Sequence, residues 1–104
     1  MQDWEWEVAD SNRINEFLDA YENGQLTDDE RFTLMETIIQ SFEDLEANMT
    51  QHECWAKFLS LIEANINLHL YTVWYWSDLD ESWKIMPFLR QIFDRQKHQF
   101  VDTL

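Results

Sequence analysis

Residues 26–42 read LTDDERFTLMETIIQSF, and they carry the clearest helix signal in the chain. Thr27 stands before the acidic run, and Glu30 follows three positions later, which is the spacing of a capping box. The acidic residues also favour the positive end of the helix dipole. Apolar residues then recur at helical spacing as far as Leu45. The pattern predicts an amphipathic helix from Thr27 to about Ala47.

A first helix is predicted before this one, over about residues 12–23. Asp10 or Ser11 can cap it, because either side chain accepts a hydrogen bond from the first turn. Gly24 stands where helices commonly end in the left-handed conformation. The apolar stripe of this helix consists of Ile14, Phe17, Leu18 and Tyr21.

Two more helices are predicted towards the C-terminus. Thr50 and Glu53 repeat the capping-box spacing, so Thr50 should cap a third helix. A last helix should begin near Pro87, because proline is favoured in a first turn. The expected inward faces are Trp55, Phe58, Leu59 and Ile62 in the third helix, and Phe88, Leu89, Ile92 and Phe93 in the last.

Residues 66–76 are compatible with two structures. Their β-branched and aromatic content is typical of a strand, whose only alternating partner would be WEWEV at residues 4–8. As a helix, the segment would be apolar and buried around much of its circumference. We favour the helix, with one face formed by Ile66, Leu70, Val73 and Trp74 and another by Leu68, Tyr71 and Tyr75. Residues 1–104 are therefore expected to form one all-α domain, a compact bundle or short stack of four to five antiparallel helices.

The charge of the chain is strongly negative and unevenly placed. It has 21 Asp and Glu residues against 7 Lys and Arg, which gives a net charge of −14 over 104 residues. Residues 1–53 hold 15 of the acids and only Arg13 and Arg31, a net charge of −13. Such a surface repels nucleic acid and anionic lipid and attracts basic proteins. We expect a protein partner and no nucleic-acid or membrane partner, although solubility alone also accounts for acidic surfaces.

The residue types that carry catalysis or metal binding are not arranged for either role. His52 and Cys54 lie two positions apart on the predicted third helix, so their side chains point to different sides. A single cysteine excludes an internal disulfide and a zinc site built on paired cysteines. The turn that begins at Asp78 lacks the Gly and Glu of a calcium loop. We expect no catalytic residue, no metal site, no cofactor and no enzymatic activity.

Outward carboxylates on the first two helices are one candidate set for binding a partner. No base is interleaved within either helix face to relieve their mutual repulsion. A solvated face is the ordinary alternative. The set consists of Glu16, Asp19, Glu22, Glu36, Glu43 and Asp44.

Rings and carboxylates around the predicted turn after residue 76 are the second candidate set. An exposed tryptophan there would be the type of side chain that anchors interfaces, whereas a buried one would belong to the core. The same question stays open for Trp4 and Trp6. The set consists of Trp76, Asp78, Asp80, Glu81 and Trp83.

Three segments carry a family resemblance: residues 26–36 (LTDDERFTLME), residues 68–77 (LHLYTVWYWS) and residues 86–90 (MPFLR). They resemble small acidic bacterial immunity proteins, which are encoded beside polymorphic toxins, including those of contact-dependent growth inhibition systems. The resemblance covers about residues 26–93, mostly at core positions. It implies a single-domain protein that binds one cognate toxin domain, often a basic nuclease, and blocks its active site or substrate path. It assigns no contact residues.

The preferred interpretation is therefore an immunity (antitoxin) protein that acts as a monomer and binds one toxin. A cytoplasmic location is expected, because the sequence from Met1 lacks the features of a signal peptide and no apolar run is long enough to cross a bilayer. The alternative is an acidic nucleic-acid mimic or regulatory adaptor that binds a host DNA-binding protein. A small enzyme is a third class, for which the sequence supplies no motif.

Overall fold

Five α-helices make up the structure. The computed structural model describes residues 9–78 and 83–103, with the backbone alone for residues 78 and 97–103. Over these ranges it contains no strand, which confirms the all-α fold and the helix at residues 66–76. None of these helices combines the length and hydrophobicity that crossing a bilayer requires. The helices are α1 (Ile14–Asn23), α2 (Asp28–Glu43), α3 (Trp55–Ala64), α4 (Ile66–Asp78) and α5 (Met86–Thr103).

The capping box of α2 forms as predicted. The Thr27 hydroxyl accepts a hydrogen bond from the Glu30 backbone N–H at 3.2 Å, and the Glu30 carboxylate accepts one from the Thr27 N–H at 2.8 Å. The helix ends at Glu43 rather than near Ala47. There the Leu45 N–H bonds to the Phe42 carbonyl, three residues back, which tightens the chain out of the α-helix.

The predicted capping box at Thr50 is wrong. Thr50 belongs to a separate 3₁₀ turn, Met49–Gln51, which is capped by Asn48. The Asn48 side-chain oxygen accepts hydrogen bonds from both the Thr50 N–H and the Thr50 hydroxyl, so that hydroxyl is not available to cap a helix. α3 begins only at Trp55, without a side-chain cap.

The predicted left-handed conformation of Gly24 is also wrong. Its backbone is extended, with φ −77° and ψ 154°. Glycine is still required there, because a Cβ atom would lie 2.5 Å from the Ala20 carbonyl oxygen, which accepts the last hydrogen bond of α1 from the Gly24 N–H. The close approach, and not the dihedral angle, therefore explains this glycine. At the other end, Asp10 caps a 3₁₀ turn, Ser11–Arg13, that leads into α1.

The core is centred on the apolar side of α2. Its buried side chains face α1 and α4, which both pack against it. At the end of α2, the Phe42 ring lies 5.2 Å from the Trp55 ring and 4.9 Å from the Phe58 ring, which joins α3 to this core. Phe88 of α5 reaches the same cluster through Trp55, at 5.1 Å between ring centroids.

The inward side of α4 differs from the predicted one. Val73 is buried as expected, but Trp74 is exposed, whereas His69 and Thr72 are fully buried. The prediction placed apolar residues inward by type alone. Trp76 is buried in place of Trp74, so the inward side of α4 runs through His69, Thr72, Val73 and Trp76, and the Trp74 ring lies outside.

The buried His69 is paired with Tyr21 across α4 and α1. The Tyr21 hydroxyl and His69 Nε2 are 2.5 Å apart. Burial, together with the positive charge of Arg31, lowers the pKa of His69 to about 4. Burial likewise raises the pKa of Tyr21. The pair is therefore neutral near pH 7 and links two helices through a hydrogen bond inside the core.

This pair predicts a specific loss of stability in acid. Because the pKa of His69 is about 4 in the folded protein and that of an ordinary histidine is 6.5, the unfolded chain binds a proton first as the pH falls. The stabilisation of the folded protein by neutral His69 is complete above pH 6.5 and is lost as the pH approaches 4. When the pH falls from about 7.5 to about 4.5, the free energy of unfolding of the unaltered chain should decrease. The same decrease in the His69→Gln variant should be smaller by about 2 kcal/mol.

Urea unfolding at the two pH values measures this difference. The carboxylates are common to both proteins, so their contribution cancels in the comparison. Equal losses for the variant and the unaltered chain would show that His69 does not titrate as the buried pair requires.

Candidate functional site

The acidic candidates of α1 are exposed as predicted, but bases from elsewhere relieve part of their repulsion. Glu16 forms an ion pair with Arg13 at 3.0 Å, and Glu22 forms one with Lys57 of α3 at 3.0 Å. Asp19 accepts a hydrogen bond from the side chain of Asn23. No base lies within α1 itself, so the relief comes from Arg13, just before the helix, and from Lys57 of another helix.

Glu43, at the end of α2, is engaged within the fold. One carboxylate oxygen accepts the Lys84 backbone N–H at 3.1 Å, and the other accepts the Ile85 N–H at 2.9 Å. These two residues immediately precede α5. Glu43 thus ties the end of α2 to the start of α5, while its neighbour Asp44 is exposed and accepts a hydrogen bond from Gln40.

Of the two aromatic candidates near the turn, one is buried and the other is half-buried. Trp76 is only 7% exposed, so it does not meet the condition for an exposed anchor. Trp83 is half-buried and packs on Trp76, with ring centroids 4.3 Å apart. The remaining candidates lie outside the described residues, either wholly or in their side chains: Asp78, Asp80, Glu81, Trp4 and Trp6.

An exposed aromatic surface on α4 was not predicted. Tyr71 is 61% exposed, Trp74 41% and Tyr75 38%. The Tyr71 ring lies 5.7 Å from that of Trp74 and 6.4 Å from that of Tyr75. We call these three residues the α4 aromatic face. Their spacing of i, i+3 and i+4 marks one side of a helix and was visible in the sequence, but it could not show that this side faces outward.

A groove runs between α2 and α4 beside the α4 aromatic face. Its volume is about 450 Å³, within the range of ligand pockets. Glu36 is half-buried there, and burial raises the pKa of its carboxyl group. We call it the α2–α4 groove, and its lining residues are Ala9, Thr33, Glu36, Thr37, Gln40, Tyr75 and Trp76.

Cys54 and His52 do not form a nucleophile–base pair in this structure. The His52 Nδ1 atom accepts a hydrogen bond from the Cys54 backbone N–H at 3.0 Å, and the Cys54 thiol contacts the side-chain oxygen of Asn15. Burial, and then the charge of Glu53, raise the pKa of the Cys54 thiol, which disfavours the reactive thiolate. Within the part of the chain that is described, no group of three His, Cys, Asp or Glu residues could hold a metal ion.

The engagement of Glu43 predicts a structural cost of its removal. Glu43→Ala leaves two backbone N–H groups before α5 without their acceptor, and we expect it to lower the free energy of unfolding by about 2 kcal/mol. The matched control is Asp44→Ala, which removes an exposed carboxylate one residue away and should cost within about 0.5 kcal/mol. Urea unfolding of both variants measures the difference. Equal effects would contradict the role of Glu43 at the start of α5.

Comparison with known proteins found none that matches this chain. No protein-family model matches the chain, and neither the curated proteins nor the solved structures gave a match. The similarity to immunity proteins therefore stays a prediction drawn from residues 26–93.

Proposed function

We propose that this chain is an immunity (antitoxin) protein that binds a cognate bacterial toxin domain, a basic nuclease, and covers its substrate groove. One observation carries the proposal: the carboxylates in the described part of the acidic half, residues 10–53, are displayed on the surface. None of the twelve acidic residues between positions 10 and 53 is buried. Two of these acidic residues form ion pairs, Glu16 with Arg13 and Glu22 with Lys57. Residues 1–53 contain only two bases that could neutralise the others.

Charge of this kind suits the inhibition of a nuclease. The groove of a nuclease that holds phosphates is positively charged, so an acidic protein is attracted to the same surface as the substrate. Long-range attraction can raise the association rate towards about 10⁸ M⁻¹s⁻¹ at low salt. Once bound, the protein excludes nucleic acid both by its volume and by like-charge repulsion. Inhibition in this way needs no catalytic group on the inhibitor.

The size of the protein is sufficient for such an interface. A standard protein–protein interface buries roughly 800 Å² on each partner. The accessible surface of this chain is 6509 Å², so an interface of that size takes about an eighth of it. A monomer can therefore occupy one toxin groove and keep most of its charged surface in solvent.

Co-expression with the product of the adjacent gene tests the function. We expect the chain to protect cells from that product and to bind it with nanomolar affinity that weakens as salt increases. Absence of both binding and protection would overturn the proposal. Competition with DNA for several unrelated DNA-binding proteins would instead favour the nucleic-acid mimic.

The position of the charge gives a second expected result. The double variant Glu16→Gln with Asp19→Asn should slow association with the partner by about fivefold at low salt, because it removes two carboxylates from the acidic half. The matched control is Glu63→Gln with Asp94→Asn, which removes one ion-paired glutamate and one aspartate from the other half. It should change the rate by less than about twofold. Stopped-flow measurement of both variants decides the point, and equal effects would contradict steering by residues 1–53.

A further inference from the structure

The α4 aromatic face exposes side chains that are usually covered. Tyr71, Trp74 and Tyr75 are the exposed large hydrophobic residues of the described part of the chain. Their rings form one continuous surface, which extends through Tyr75 to Trp83 at 6.3 Å. Tryptophan and tyrosine are the residue types that dominate binding energy at protein interfaces. Three such rings, side by side and in solvent, indicate a surface that another molecule covers.

The adjoining α2–α4 groove adds one negative charge to this surface. Thr33, Glu36, Thr37 and Gln40 line it from α2 at i, i+3, i+4 and i+7, and Tyr75 and Trp76 line it from α4. Gln40 donates its amide to Asp44, and Thr37 donates its hydroxyl to a carbonyl of its own helix. Glu36 is thus the carboxylate of the lining.

Among the described residues, no cation forms an ion pair with the carboxylate of Glu36. None of the ion pairs or hydrogen bonds formed among the described residues involves its side chain. Burial without a partner disfavours the charged form, which is why the pKa of Glu36 is raised. A cation placed in the groove would reverse this effect, since it would pair with a carboxylate that is already partly desolvated.

We propose that the α2–α4 groove binds an arginine side chain of the basic protein partner, with Glu36 as its counter-ion and the Tyr75 ring against its guanidinium plane. Arginine fits this combination because the guanidinium group pairs with a carboxylate through two hydrogen bonds and stacks on aromatic faces. Tyr71 and Trp74 then cover the neighbouring part of the partner. The inference rests on the proposed function and names the docking surface for it.

The charge distribution favours an external partner over a second copy of this chain. Each copy carries a net charge of −14, so two copies repel each other. The described basic side chains are also engaged within the fold. Arg13, Lys57 and Arg95 form ion pairs, Lys84 and Arg90 donate to backbone carbonyls, and Arg31 lies over the Tyr21 ring.

The charge of the first eight residues makes them a poorer match for the α2–α4 groove than a basic partner is. They contain Asp3, Glu5 and Glu7 and neither lysine nor arginine. Placed against Glu36, these side chains would add like charge to the groove. The side chain that best satisfies Glu36 therefore comes from a protein with an excess of bases.

Titration of the whole chain with a capped Gly-Arg-Gly peptide tests the inference. Chemical shifts of the Trp74 and Trp76 indole N–H groups, assigned with Trp74→Phe and Trp76→Phe, report on the α4 aromatic face and on the groove lining. We expect weak, millimolar binding that shifts these two signals. A capped Gly-citrulline-Gly peptide has nearly the same shape without the charge, and it should bind about tenfold more weakly.

Four variants separate the groove from general electrostatic attraction. Glu36→Gln should weaken arginine-peptide binding by about fivefold, whereas Glu46→Gln, which removes an exposed carboxylate from the loop after α2, should change it by less than about twofold. Tyr75→Ala should weaken binding by about threefold, and Tyr75→Phe should retain it, because the ring is what stacks on the guanidinium group.

Several results would overturn the inference: no binding of the arginine peptide, equal binding of the citrulline peptide, or equal effects of Glu36→Gln and Glu46→Gln. A dimer in sedimentation that Tyr71→Ala dissociates would assign the face to a second copy instead. If cells are protected in co-expression but the peptide fails to bind, the proposed function stands and this docking surface is wrong. If the peptide binds as expected and no protection occurs, the groove stands and the toxin partner is wrong.

Discussion

Burial of the apolar side of α2 is the constraint on which the other helices depend. α1 and α4 pack against that side, and Phe42 near its end meets the rings of α3. Glu43, the next residue, holds the backbone that enters α5. The buried side is filled by seven side chains between Leu34 and Phe42, and Glu36, which lies between them on the other side of the helix, is left half-exposed. Glu36 is therefore held at the surface, at the edge of a groove, by the same packing that forms the core.

The acidic character of the chain is only partly compensated inside the fold. Some carboxylates have structural roles, as Glu30 does at the start of α2 and Glu43 at the start of α5. Others meet a base, as Glu22 meets Lys57. Most of the carboxylates of residues 10–53 stay on the surface, and one of them, Glu36, lies in the groove beside the exposed rings of α4. Charge for attraction and rings for anchoring are the two components that a protein-binding surface combines.

Local chemistry explains which parts of this structure could be predicted from sequence. The capping box at Thr27 needs only residues within one turn, and it forms. The same spacing at Thr50 fails because Asn48, just outside the motif, competes for the hydroxyl. The inward side of α4 depends on the shape of the space between helices, which admits His69 and excludes Trp74.

Only the exposed carboxylates of the candidate surface could be predicted from the sequence. Exposed carboxylates such as Glu16 follow from their position opposite the apolar stripe of α1. The α2–α4 groove joins Glu36 to Tyr75, which are far apart in sequence and meet only through tertiary packing. The Lys57–Glu22 pair has the same origin. Periodicity within one helix cannot reveal such contacts, because it contains no information on which helix lies opposite.

A structure of the chain bound to its cognate partner is the most direct test of the central claim, that an acidic surface with exposed rings receives a basic protein. The account predicts that carboxylates of residues 1–53 and the α4 aromatic face lie against the basic surface of the partner. An interface formed by α3 and α5 through neutral groups, with the acidic half in solvent, would contradict it.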